Sequence, residues 1–206
     1  MRYLAPFLVI ALTLTACAKK QEAQQQAQAE RQVQTYSVED FYKTNDFFGG
    51  SFSPDKSKIL LSSNLSGIFN VVSIPAAGGT PTSLTHSTTN SVFSLGYFPN
   101  DERFAYRSDE GGNELSHIYV QNPDSTVKDL TPGNNLRADF VGWADDDKSF
   151  FIQTNERDPK FFDLYEYQAD GYARQMIYKN TEGYDVGAIS PDKRYLAAGR
   201  FRGRLL

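Results

Sequence analysis

Short apolar segments alternate with polar turns through most of this chain. An apolar run directly follows a polar turn four times, at residues 59–61, 104–106, 150–152 and 196–198. Runs of this length, rich in aromatic and aliphatic residues, predict strands buried on both faces. The turns contain Pro-Asp, Pro-Asn or an Asp triplet; proline presets φ at the first central position and Asp or Asn bonds the local backbone. The pattern therefore predicts an all-β chain.

The turns recur at a constant interval. Pro54, Pro99, Asp145 and Pro191 hold the second turn position, at steps of 45, 46 and 46 residues. After each turn and its buried strand, the pattern predicts a second polar turn, at 63–67, 108–113 and 155–159. An alternating strand follows at 68–74, 117–120 and 162–167, and then a short strand at 83–85, 129–131 and 176–178. A last strand enters the next turn, at 91–97, 138–143 and 185–189. Four strands per repeat of this length are typical of a β-propeller blade, and a β-sandwich with chance turn similarity is the alternative.

The number of repeats predicts an incomplete β-propeller. Residues 36–206 hold about three four-stranded blades and the start of a fourth. Propellers close a ring of typically four to eight blades, so we expect a fragment of a longer protein. Residues 199–206 carry three Arg and two Gly where a strand and hairpin are expected, which suits a frameshift or a premature stop.

The first residues have the pattern of a secretory leader. Met1 and Arg2 precede an apolar stretch at 3–14, too short to span a bilayer comfortably. The stretch ends in Leu-Thr-Ala-Cys, which resembles the bacterial lipobox, so we predict a lipoprotein signal peptide at residues 1–16 and lipidation of Cys17. An ordinary signal peptide with an incidental cysteine is the alternative. Residues 17–35, rich in Gln, Ala and Glu, predict a flexible tether from a membrane.

Composition excludes several classes of function. The formal net charge is −4, from 21 basic and 25 acidic residues, which argues against a nucleic-acid partner. Two His and one Cys leave few ligands for a transition metal and no intrachain disulfide. The Asp145–Asp147 triplet lacks the oxygen pattern of a calcium loop and is interpreted as a turn. We therefore expect no metal and no cofactor.

Four segments resemble the propeller of bacterial prolyl oligopeptidase-family serine peptidases. They are residues 38–42 (VEDFY), 66–71 (SGIFNV), 108–115 (SDEGGNEL) and 155–167 (NERDPKFFDLYEY), the last being the most specific. The resemblance covers about residues 36–198. It implies a propeller that restricts access to small peptides, placed over a C-terminal α/β-hydrolase domain with a Ser-Asp-His triad.

The chain departs from this family where catalysis is concerned. It contains no Gly-x-Ser-x-Gly motif; residues 49–53 (GGSFS) come nearest but lack the final glycine that the serine turn needs. We therefore expect the hydrolase domain, the propeller's partner in the family, to be absent, and no catalytic residue in this chain. A catalytic histidine needs an acid and a nucleophile held within reach, and neither His86 nor His117 has local support for this, so we interpret both as surface or hairpin histidines.

Charged residues of the inter-strand loops are the remaining candidates for substrate contact. They are Asp109, Glu110, Glu114, Glu156 and Arg157. The resemblance implies that propeller acids can hold the amino end of a peptide, since a carboxylate pairs well with an ammonium. The alternative is a solvated hairpin, or a bond between Arg157 and a carboxylate that steadies its loop.

Two functions remain open at this stage. The first is the non-catalytic propeller portion of a periplasmic, membrane-anchored serine peptidase. The second is a stand-alone propeller, like the TolB-type repeats, that binds other envelope proteins. A structural envelope lipoprotein without a ligand is a weaker third.

Overall fold

A computed structural model describes residues 35–190 and 192–200. The signal peptide, Cys17, nearly all of the tether, Pro191 and residues 201–206 lie outside the described residues. The described helix, α1 (Val38–Tyr42), is only five residues long, and no helix in the described ranges could cross a membrane. Ser37 caps it: its hydroxyl accepts from the Asp40 amide (3.3 Å), and the Asp40 carboxylate accepts from the Ser37 amide (2.8 Å). This helix belongs to a unit that ends at Thr44, and the strands belong to a second unit.

The strands form three four-stranded antiparallel sheets and one two-stranded sheet, each in sequence order from its first strand. We call the sheets blades 1 to 4. Blade 1 contains β1 (Phe47–Phe52), β2 (Lys58–Ser63), β3 (Asn70–Pro75) and β4 (Thr82–Ser83). Blade 2 contains β5 (Val92–Tyr97), β6 (Phe104–Ser108), β7 (His117–Gln121) and β8 (Val127–Asp129). Blade 3 contains β9 (Ala138–Trp143), β10 (Ser149–Asp158), β11 (Phe161–Gln168) and β12 (Arg174–Tyr178). Blade 4 contains β13 (Asp185–Ile189) and β14 (Leu196–Gly199).

The repeated polar turns join the first and second strands of the blades. In blade 1 the Lys56 amide donates to the Ser53 carbonyl (2.8 Å), which closes a β-turn, and Lys56 then adopts a left-handed φ of 59°. Asp55 accepts from the Ser53 hydroxyl (2.6 Å) and the Ser57 amide (3.0 Å). These hydrogen bonds, led by the one from Ser53, lower the pKa of Asp55 to about 2. These hydrogen bonds explain why serine and aspartate occupy this turn.

The hydrophobic core lies between successive blades. Leu60, Val71 and Phe104 are among the buried residues between blades 1 and 2. The largest cluster joins blades 2 and 3, where Phe98 packs edge-on against Phe150 with 5.8 Å between ring centroids. Each blade therefore depends on its neighbour for burial, as expected of a repeat protein.

Polar bonds repeat between the same blades. The Gln121 side chain of β7 donates to the Leu84 carbonyl of blade 1 (2.8 Å). One repeat later, the Tyr167 hydroxyl of β11 donates to the Leu130 carbonyl of blade 2 (3.2 Å). We call these two bonds the inter-blade latches. In both, a side chain of the later blade donates to a backbone carbonyl that follows the last strand of the earlier blade.

The predicted strands occur in the predicted order, β1 was not predicted, and three predictions need correction. The predicted polar turn at 155–159 is mostly strand, because β10 continues to Asp158 and its Arg157 bonds to the neighbouring strand. The strands predicted at 83–85 and 129–131 lie about two residues earlier in the structure. Thr85 and Thr131 follow these strands, and their hydroxyls accept hydrogen bonds from the backbone amides of Val71 and Ile118. The strand at 196–198 is not buried on both faces, since β14 is the edge of a two-stranded sheet.

Candidate functional site

One position at the start of the third strand is polar in every four-stranded blade. It is Asn70 in blade 1, His117 in blade 2 and Asp163 in blade 3. Each pairs across the sheet with a hydroxyl residue: Ser63, Ser108 and Thr154, respectively. Because the repeat relates these three positions, a difference between them shows where one blade has departed from a common structural role.

Blade 1 satisfies its own polar residue completely. The Asn70 Oδ1 accepts from the Thr85 hydroxyl (2.9 Å) and the Ser87 amide (2.8 Å). Its Nδ2 donates to the Ser66 hydroxyl (3.0 Å) and the Ser87 carbonyl (2.9 Å). Asn70 therefore ties its blade's loops together and has little capacity left for a ligand.

Blade 3 uses its polar residue in a buried ion pair. The fully buried Asp163 accepts from Arg157 Nε (2.5 Å) and Nη2 (2.9 Å) and from the Asn180 amide (2.7 Å). Arg157 Nη2 also donates to the Asn180 carbonyl (2.6 Å). The hydrogen bond to Asp163 is the main reason why the pKa of Arg157 lies above its usual value. The guanidinium therefore joins β10, β11 and the loop after β12.

His117 of blade 2 is only half engaged. Its Nδ1 lies 2.9 Å from Asp129 Oδ2, and the other Asp129 oxygen accepts from the Thr131 amide (2.8 Å). Since an ionised carboxylate only accepts, Nδ1 carries a proton in this contact, and in the neutral form of the imidazole Nε2 is an acceptor. Within the described part of the chain, Nε2 has no hydrogen-bond partner.

An open cleft of about 720 Å³ lies beside His117. One wall is a stack of three rings, in which His117 lies on Tyr119 (6.2 Å) and Tyr119 on Tyr106 (5.2 Å). Burial raises the pKa of Tyr106 to about 12 and also raises that of Tyr119, so both phenols remain protonated at neutral pH. The residue one repeat before Arg157 is Gly111. Blade 2 thus has no arginine where blade 3 has one.

The loop between β6 and β7 forms the other wall. Asp109 Oδ2 accepts from the Glu114 amide (2.9 Å), and the Gly111 amide donates to Asn90 Oδ1 (3.0 Å). Asn113 Oδ1 accepts from the Leu115 amide (2.9 Å). These bonds shape the loop from inside and orient its side chains.

The structure divides the five predicted contact residues into two groups. Asp109 and Glu110 line the cleft, and Glu114 lines a smaller adjoining cavity of about 250 Å³ together with Asp109. Glu156 and Arg157 belong to blade 3, where Glu156 pairs with Arg174 (2.9 Å) and Arg157 with Asp163. The acids of blade 2 are thus available to a ligand, whereas Glu156 and Arg157 of blade 3 are committed to structural pairs.

Sequence reasoning missed His117 as a site residue, because its acid partner is not local in the sequence. Asp129 follows His117 by twelve residues, on the strand that pairs with β7. The available signal was the repeat itself, since Asn70, His117 and Asp163 are 47 and 46 residues apart.

Ser108 also lines the cleft, but it does not form a catalytic triad with His117 and Asp129. Its hydroxyl donates to the Ser91 carbonyl (2.8 Å). A nucleophilic serine must instead donate to the histidine base.

Comparison with known proteins agrees with the fold. No protein-family model matches the chain, and no curated protein matches its sequence significantly. Among solved structures, TolB from Acinetobacter baumannii has a TM-score of 0.53 at 17% identity, with 75% of this chain covering 37% of that one. A prolyl endopeptidase has a TM-score of 0.55 at 13% identity, covering 70% and 23%. A structure assigned as dipeptidyl aminopeptidase IV from Bacteroides ovatus has 0.53 at 17% identity, covering 75% and 25%.

The fold is that of β-propeller blades. The predicted β-propeller is thereby confirmed at the level of fold. The chain spans less than half the length of each of these structures. Both predicted kinds of relative, TolB and prolyl peptidases, occur among them, and identities this low establish the architecture alone.

Proposed function

We propose that this chain is the non-catalytic propeller portion of a periplasmic, lipid-anchored serine peptidase of the prolyl oligopeptidase type. In this proposal the blades control which peptides reach a separate hydrolase domain, and Cys17 holds the protein at a membrane. The observation that carries the proposal is the match to a prolyl endopeptidase, of whose length this chain covers only 23%. A propeller portion of a longer enzyme would match in this way.

The geometry of the cleft supports a binding role without chemistry. Glu110 is exposed at the cleft, and Asp109 keeps one carboxylate oxygen outside its bond to the Glu114 amide. Together they give a ligand's positive end a negative surface to approach. In the described ranges the nearest combination of serine, histidine and acid has the serine directed elsewhere.

Two experiments test this proposal. Purified protein should not hydrolyse a fluorogenic dipeptide, and turnover blocked by a serine-reactive phosphonate would refute the non-catalytic assignment. The coding sequence beyond codon 206 should be read in all three frames. A continuation with further blades, Gly-x-Ser-x-Gly, Asp and His supports the proposal, and the absence of such a continuation contradicts it.

The second candidate is a TolB-like binding lipoprotein of the cell envelope. The match to TolB favours it, because that similarity needs no hydrolase domain. A stand-alone binder needs a closed ring, so this candidate expects two copies to associate. Small-angle scattering and sedimentation should then show a compact symmetric dimer, whereas a monomer or an aggregate would contradict it.

A further inference from the structure

The blade 2 cleft carries an inference that goes beyond the proposed gating function. We infer that this cleft binds a neutral, hydroxyl-rich ligand of the saccharide class, with His117 as the central acceptor. The reason lies in which polar atoms the blade has already used and which remain for a ligand.

The first step is the comparison between blades. Asn70 and Asp163 are each saturated by groups of their own blade, as their hydrogen bonds show. His117 has one bond, to Asp129, and lines an open cleft. A structural role alone would be served by a residue bonded like the other two. The half-engaged imidazole is therefore the feature that distinguishes this blade.

The second step is the set of donors. Asn90 and Asn113 both line the cleft, and each has its Oδ1 occupied by a loop amide. Their Nδ2 groups have no partner in the ranges the structure covers. Tyr106 and Tyr119 remain protonated and add two phenolic donors. The cleft therefore presents several neutral donors.

The third step is the set of acceptors. The Nδ1 proton of His117 is directed to Asp129, so Nε2 of the neutral imidazole accepts. Glu110 and the second oxygen of Asp109 accept as well. The lining of one cavity thus carries both donors and acceptors, and each hydroxyl of a sugar both donates and accepts. A peptide ammonium only donates, so by itself it can pair with the acceptors of this cleft but not with the asparagine and tyrosine donors.

Charge narrows the ligand class further. No Lys or Arg is among the described residues that line this cleft, whereas two carboxylates are. An anionic ligand in this cleft would meet Asp109 and Glu110, whereas the nearest arginines, Arg107 and Arg137, line the smaller cavity on the other side of Asp109. Neutral saccharides satisfy both the charge and the hydrogen-bond pattern.

Saturation-transfer NMR on the full chain tests the inference, with maltotriose and triacetylchitotriose as neutral probes and Gly-Pro-Phe as the peptide probe. We expect a saccharide to bind and its affinity to fall at least 5-fold in His117→Phe, which keeps an aromatic ring but removes Nε2. Glu110→Gln should weaken binding similarly and, at an exposed position, should leave folding unchanged. His86→Gln is the matched control, since exposed His86 lies outside this cleft, and it should bind as the parent does.

Two results would overturn the inference. One is the absence of saturation transfer to either saccharide; the other is saccharide binding that neither cleft variant weakens. If Gly-Pro-Phe alone binds, and Glu110→Gln abolishes its binding, then the saccharide assignment is refuted while peptide recognition by the proposed gate is supported. The two proposals can therefore fail separately.

Discussion

Removing the buried carboxylate of Asp163 should destabilise blade 3 strongly. Asp163→Ala deletes the acceptor of two Arg157 bonds and of the Asn180 amide, and leaves the guanidinium without its carboxylate. Breaking one partner of a buried pair costs about 3–5 kcal/mol. We expect about 3 kcal/mol, the lower end of that range, because the Arg157 side chain keeps 28% of its exposure and can partly rehydrate.

Urea unfolding followed by tryptophan fluorescence measures this effect directly. Trp143 is the single tryptophan of the chain and lies in blade 3, with its ring centroid 5.0 Å from that of Phe150. With an m-value of about 2 kcal/mol/M, the midpoint should fall by about 1.5 M. Glu182→Ala, an exposed acid in the loop after β12, is the control and should change stability by less than about 0.5 kcal/mol. A midpoint for Asp163→Ala within about 0.5 M of the parent would refute the structural role assigned to this pair.

Four further predictions use the same protein. Tyr167→Phe removes one inter-blade latch and should cost about 1–2 kcal/mol in urea unfolding; an unchanged midpoint would contradict the latch. Lys56→Gly relieves a left-handed φ of 59° and should raise stability by about 0.5–1 kcal/mol, so a loss would show that the turn is unstrained. Asp55 has a folded pKa of about 2 against 3.8, so its stabilising contribution exists above pH 4 and is lost as the pH falls toward 2. Asp55→Asn should therefore flatten the acid limb of a stability–pH curve, and a parallel limb would exclude that role. Finally, Cys17→Ser should abolish incorporation of a labelled fatty acid in bacteria, and retained label would refute lipidation at this residue.

The architecture could be predicted from the sequence because each sheet is formed by strands that follow one another directly in the chain. Each blade is built from four consecutive strands, so the spacing of Pro54, Pro99 and Asp145 was enough to predict strand order and blade identity. The turn predicted at 155–159 was wrong for a reason that is not local. The charged residues around Arg157 are typical of a loop, but its hydrogen bond to Asp163 on the next strand keeps this segment in β10.

The candidate site was less predictable for the same reason. The acids of the β6–β7 loop could be proposed from their own segment, and they do line cavities. The pairing of His117 with Asp129 depends on the register between β7 and β8, which hydrophobic patterning did not specify. Among the residues that the structure describes, Asn90 and Asn113 have free Nδ2 donors because loop amides occupy their Oδ1 atoms, and this depends on the folded shape of the loop.

The direction of the inter-blade latches has a consequence for how the chain is made. The donors, Gln121 and Tyr167, are synthesised 37 residues after the carbonyls that they bond, those of Leu84 and Leu130. Each blade can thus be secured as soon as the following one emerges, without waiting for distant segments. A chain that emerges N-terminus first therefore needs to shield only its newest blade from aggregation.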